Sequence, residues 1–239
     1  MAISIVRQSG KIQGTGNAPL GVNYSFSVLP AVGNTIIVTV FGWSNVNPGY
    51  SVSDNQGNTY TLNAFRNTGG FGSATVFSAP VNTSAGTFTV TVTNNGSGAS
   101  TVNFNAQEVG VLSSTPFDKS SSTTGSSTTP STGTTATTTV ASEILVGCQK
   151  NDGNSGIWSA NASGSTPSSG WILEINETDD GVFGAGATAD IIVSATGAYV
   201  HVWSHTGGAS PWGGCIATFA APVASSGIPS LIVQPITPT

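Results

Sequence analysis

Apolar and polar residues alternate over short runs along most of the chain. "NYSFSVL" (23–29) alternates cleanly, and "NTIIVTVFGW" (34–43) is almost continuously apolar. The first pattern predicts a strand with one wet face, the second a strand buried on both faces. "GYSVSD", "TYTLNAF", "ATVFSAP", "GTFTVTVTN" and "TVNFNAQEVGVL" continue the series. The second half adds "EILVGCQK", "GWILEINE", "ADIIVSA", "AYVHVWSH" and "GCIATFAAP". Gly, Asn, Pro and Ser punctuate these runs, as they do between strands. No stretch sustains a 3.6-residue apolar period with caps. So many short strands predict an all-β fold, a two-sheet antiparallel β-sandwich of jelly-roll type, with residues 1–222 as a single domain.

Two segments depart from this pattern. Residues 113–139, "SSTPFDKSSSTTGSSTTPSTGTTATTT", are rich in Ser and Thr. Thr favours exposed strands, and two edge strands joined by a loop would keep the domain single. Residues 223–239, "VASSGIPSLIVQPITPT", carry Pro229, Pro235 and Pro238. Proline at that density excludes a helix and predicts an extended C-terminal arm. Leu231, Ile232, Val233 and Ile236 make the arm too apolar to stand in water, so it is expected to dock on this chain or, as an interface, on a neighbour.

Composition narrows the function. Of 239 residues only 6% are charged, against roughly 25% in an ordinary domain, while 38% are hydrophobic. Hydroxyls and amides supply the polarity, a style suited to extracellular surfaces and virus particles. The net charge is −5, and five Lys plus Arg leave no basic patch for nucleic acid. No apolar run reaches the ~20 residues of a membrane-spanning helix. "MAISIVRQSGKIQG" lacks a basic and then apolar leader. Synthesis in a host cytoplasm and release by lysis fit that start.

Candidate chemistry is sparse. In "SVSDNQGNTYTL" (51–62), Asp54 is the one carboxylate among Asn55, Gly57 and Asn58. A calcium loop needs several converging oxygens, whereas a capped hairpin turn needs only this Asx residue and a glycine. "EINETDDG" holds Glu174, Glu177, Asp179 and Asp180. Paired carboxylates about 5–10 Å apart serve glycosidases, but a solvated hairpin tip is the expected reading. His201 and His205 lie roughly 13 Å apart on a strand, too far to share a metal. No metal, no cofactor and no catalytic residue is expected. Cys148 and Cys215 sit in two runs that read as strands; they are a candidate disulfide, with buried free thiols as the simpler expectation. Trp43, Trp158 and Trp212 are the candidate sugar-stacking residues, Trp212 lying in the loop-like "GGASPWGG".

The order "VSDNQGNTYTL", "NFNAQEVGVLSSTPFDKSSSTTG", "ASEILVGCQ" and "GGCIATFAAP" resembles a recurring β-sandwich module of phage virion and bacterial surface proteins. The resemblance spans about residues 35–222. It implies a fold and an exposed structural or carbohydrate-binding role, with no functional residue to transfer. The expectation is a phage virion structural protein, a capsid decoration or other particle-exposed subunit. Its partners would be copies of itself, a trimer being one such form, and other virion proteins. A carbohydrate-binding or receptor-binding module that takes a host glycan is the alternative.

Overall fold

The structure is a computed structural model and describes residues 2–70, 72–152, 158–159, 170–177, 185–205 and 208–223, with backbone alone at 158, 159 and 205. The described residues form strands and no helix. In order these are β1 (Ser4–Gln8), β2 (Ile12–Ser25), β3 (Thr35–Trp43), β4 (Tyr50–Asp54), β5 (Thr61–Asn67), β6 (Gly72–Pro80) and β7 (Thr89–Gly110). They continue with β8 (Phe117–Ser127), β9 (Ser142–Asn151), β10 (Trp158–Ser159), β11 (Ile172–Glu177), β12 (Gly186–Ser194), β13 (Ser204–His205) and β14 (Ser210–Ala220). A seven-stranded antiparallel sheet packs on a five-stranded one, giving the expected two-sheet sandwich.

The long strand β7 is the spine of the first sheet. One of its edges takes β1 at Gln107–Gly110 and β2 at most of the remainder. Its other edge takes β3 at Thr101–Val109 and β4 at Val90–Asn94. "GTFTVTVTN" and "TVNFNAQEVGVL", read as two strands, are therefore one. β6 pairs with β3, and β5 with β6. The second sheet runs β11-β12-β9-β14-β8.

Alternation decides which way each side chain points. Ile37, Phe41, Val76 and Val109 from the first sheet meet Ile144, Val146, Cys148, Cys215 and Phe219 from the second in the central core. The opposite face of the first sheet buries its own cluster, in which Ile36, Val38 and Val40 join Val90, Val92, Val102 and Phe104. β7 thus contributes both of its halves to one core.

Three expectations about elements change. The run 23–29 is strand only to Ser25, and Val28 and Leu29 lie in the β2–β3 loop. The Ser/Thr tract yields one edge strand, β8, paired with β14. Its second part, 130–138, is instead an irregular segment laid along 197–203. The amides of Thr132, Thr135 and Thr138 donate to the carbonyls of His201, Tyr199 and Gly197, at 3.0, 2.8 and 2.9 Å. The amides of His201, Tyr199 and Gly197 donate back to the same three threonine hydroxyls. A threonine at every third position is buried by this reciprocal ladder, which replaces a regular strand over most of "AYVHVWSH". Third, β4 and β5 do not pair with each other. The Asp54 turn carries the chain from β7 to β6 rather than closing a hairpin.

Candidate functional site

The Asp54 cluster is a turn. Asp54 accepts the amides of Gln56 and Asn58 through Oδ1, at 2.9 and 3.1 Å, and the Asn58 side-chain amide through Oδ2 at 2.9 Å. Gly57 takes φ +79°, which a side chain disfavours. Both carboxylate oxygens are already used by the protein's own donors.

Of the three tryptophans, Trp212 offers no open stacking face. Trp212 is not in a loop: it lies in β14 and is buried, with its indole N–H donating to Ser127 at 3.0 Å. Its ring lies over Gly125, where an added Cβ would approach to 2.6 Å. The glycines around Trp212 read as loop, yet they serve close packing. The Trp158 side chain lies outside the described residues, as do Asp179, Asp180, the His205 side chain and the arm residues Leu231, Ile232, Val233 and Ile236.

Trp43 remains. It ends β3, half-buried, opposite Gly72 and Thr101. Immediately beyond it opens a polar pocket of about 130 Å³, lined by Ser44, Asn45, Asn47, Asn67, Gly72 and Ser73 among others. Asn45 is fixed by a two-way exchange with Ser97, at 2.9 and 2.8 Å. Ser73 is 2% exposed, with the Tyr50 phenol beside its hydroxyl. Behind Gly72 lies Lys150, itself 1% exposed, with its ammonium 3.6 Å from Asp152. Pre-placed amides and hydroxyls over a charge pair can hold a small polyhydroxylated group.

A different surface occupies one end of the sandwich. Val28 and Val32 are 61% and 65% exposed, and Leu29 stands beside them. The loop that carries them is held from below. The Arg7 guanidinium donates to the carbonyls of Val28 and Leu29, at 2.6 and 3.0 Å, and pairs with Glu108 at 2.9 Å. Glu108 is wholly buried, and its other oxygen accepts the Ala31 amide and the Asn34 side chain. Val32 borders a cleft of about 330 Å³ that shares Pro80 and Ser114 with a second, of about 340 Å³, closed by Phe117. Phe117 is 43% exposed. Large apolar side chains on a rigid backbone are what a docking surface requires, because little freedom is lost on binding.

Several ionisable groups among the described residues are buried. A β-bulge between Leu173 and Ile175 brings Glu174 to Asp190 of β12. Burial, opposed by an amide from Gln107 at 2.7 Å, pushes Asp190 up to about 7, and Glu174 adds to the rise. Asp190 is buried and faces the first sheet, where it meets Gln107, while Glu174 is half-buried. His201 is held between Trp171, stacked at 4.0 Å, and Trp203, edge-on at 4.2 Å, and burial lowers it to about 3. Cys148 and Cys215 stand directly opposite each other on β9 and β14 as free thiols. Each points at a carbonyl, of Val40 and of Ala74, and burial pushes Cys148 up to about 12. Such thiols are poor nucleophiles. Among the described residues no three His, Cys, Asp or Glu could hold a metal ion, and no helix is long and apolar enough to cross a membrane.

No family model matches this chain, and no curated protein or solved structure is significantly similar to it.

Proposed function

We propose that the chain is a structural subunit of a phage virion, a jelly-roll-like capsid decoration or other particle-exposed protein. It is made in the host cytoplasm, displayed on the particle and works by surface binding and assembly rather than by bond chemistry. The observation that carries this reading is the apolar end of the sandwich, where Val28, Leu29, Val32 and Phe117 stand exposed around a loop clamped by Arg7 and Glu108. A soluble domain seldom exposes such residues together unless a partner covers them. The partners are copies of this chain, a trimer being one closed form, and other virion proteins. A stable contact of that kind buries roughly 1,200–2,000 Å². The low charge and hydroxyl-rich composition support the same reading. Gold-labelled antibody against the chain, applied to a lysate of the source organism, tests it. Gold on regular particles is expected; gold on cell envelopes or soluble debris would remove the proposal.

The polar pocket beside Trp43 favours a second reading, a carbohydrate-binding or receptor-binding module. Its support is the clustering of Ser44 and Ser73 with the amides of Asn45, Asn47 and Asn67 around one small pocket. A host glycan should then shift tryptophan fluorescence, and Trp43→Ala should abolish the shift. Silence across a broad glycan panel overturns it.

A further inference from the structure

At one flank the sandwich is open. Here β1, on the border of the first sheet, and β11 and β12, on the border of the second, leave a groove of about 660 Å³. Its walls are Ile5, Ile172, Ile191, Ile192, Val193 and Tyr199. Asp190 points to the inter-sheet side, since its carboxylate reaches Gln107 on β7. Ile172 is its cross-strand partner and Ile192 lies two residues along, so both share that face. Yet they are 56% and 45% exposed. Two isoleucines that point inward are uncovered because the first sheet does not extend over them.

We infer that the chain's own C-terminal segment, residues 224–239, docks in this groove and closes the flank. Three observations select it. First, the described chain stops close by. The amide of Ala221 donates to Ser142 at 2.9 Å, and Ser142 is the cross-strand partner of Ser194, which lines the groove. Two strand spacings, roughly 10 Å, separate Ala221 from the groove wall. Leu231 lies eight residues beyond Val223, a reach of up to ~26 Å. Second, the chemistry matches. Residues 224–239 contain no Asp, Glu, Lys or Arg, and Leu231, Ile232, Val233 and Ile236 supply the apolar side chains. In an extended segment Leu231, Val233 and Pro235 share one side. Third, the tether is short, so the effective concentration of this segment at its own groove exceeds that of another copy's. The inference goes beyond the virion reading and stands without it.

Photo-cross-linking tests it. With Ile192 replaced by benzoylphenylalanine in the full chain, the expected product is a link within one molecule to residues 224–239, with a yield unchanged on dilution. Links to other segments, or links between copies that fade on dilution, overturn the proposal. A second variant, Ile192→Asp, changes a half-exposed side chain and should keep the fold, checked by circular dichroism. A broad-specificity protease should then trim the C-terminal segment about tenfold faster than in the parent. Equal trimming rates overturn the proposal as well.

Discussion

On the seven-stranded sheet the outer face is closed by more sheet. The first part of β7, the second part of β2 and β4 bury Val90, Val92, Val22 and Tyr50 with Ile36, Val38 and Val40. On the five-stranded sheet the outer face is closed by two irregular segments. Thr132, Thr135 and Thr138 there exchange hydrogen bonds with Gly197, Tyr199 and His201, and Trp171, His201 and Trp203 form the aromatic layer underneath. The first cover is held by apolar area spread over many strand residues. The second depends on a few large rings and on threonine hydroxyls that substitute for a missing ladder. The lesson is that a hydroxyl-rich tract can cover a sheet when its hydroxyls accept backbone amides that would otherwise be buried unpaired.

The largest expected effects come from the rings. Phe104→Ala and Trp203→Ala should each cost about 3–5 kcal/mol. They should differ in extent: loss of Phe104 lowers protection throughout the first sheet, while loss of Trp203 exposes chiefly 130–138 and 197–203. Hydrogen exchange followed by peptide reads the difference, and a uniform loss in both variants would erase the contrast between the two covers.

Next comes pH sensitivity, with His201 of the second cover at its centre. His201 is lowered to about 3 by burial, against about 6.5 in the unfolded chain. Between those values the unfolded chain binds a proton that the folded chain refuses, so stability falls as pH falls. The slope approaches about 1.4 kcal/mol per pH unit. Asp190, raised to about 7 by burial, acts with the opposite sign: its contribution is intact below about 4 and is lost as pH rises towards 7. Between about 4 and 6.5 these slopes oppose each other, and Glu143, also raised to about 7 by burial, acts with Asp190. In denaturant midpoints the acid-side loss in the parent should therefore appear below about 4 and be shallower in His201→Phe. Asp190→Asn should remove its part of the opposing slope throughout about 4–7. An unchanged profile in His201→Phe would mean that the ring is not held neutral.

Smaller again are the threonines. Thr132→Val leaves the His201 amide without its acceptor and should cost about 1–3 kcal/mol. Ser122→Val, on the exposed side of β8, should stay within about 0.5 kcal/mol. Chemical denaturation of both variants separates a threonine that replaces a strand from a serine that merely decorates one.

This contrast also marks what could be read in advance. The apolar runs of β3, β6, β9, β12 and β14 stand out against polar neighbours, so the strands and the sandwich were legible. Asp54 was legible as a turn because a single carboxylate beside Asn58 and Gly57 can satisfy only local amides. In 128–139 nearly every residue is Ser or Thr, and burial of Thr132, Thr135 and Thr138 leaves no trace in a sequence without contrast. Trp212 was misread because glycines that permit close packing look like glycines of a loop. The contact between Glu174 and Asp190 was hidden because it depends on a bulge, which shifts every face assignment after it. The exposed end was hidden too: "SFSVLP" alternates like a strand, and only the fold shows Arg7 and Glu108 turning Val28 and Leu29 outward.

That end carries the central claim, that this chain acts by binding other protein surfaces. Sedimentation velocity of the parent beside the Val28→Asp, Val32→Asp double variant tests it most directly, since both side chains are exposed and their loss should leave the melting temperature unchanged. A closed oligomer is expected for the parent and a monomer for the variant. A parent that stays monomeric at every concentration, or a variant that assembles as the parent does, would contradict it.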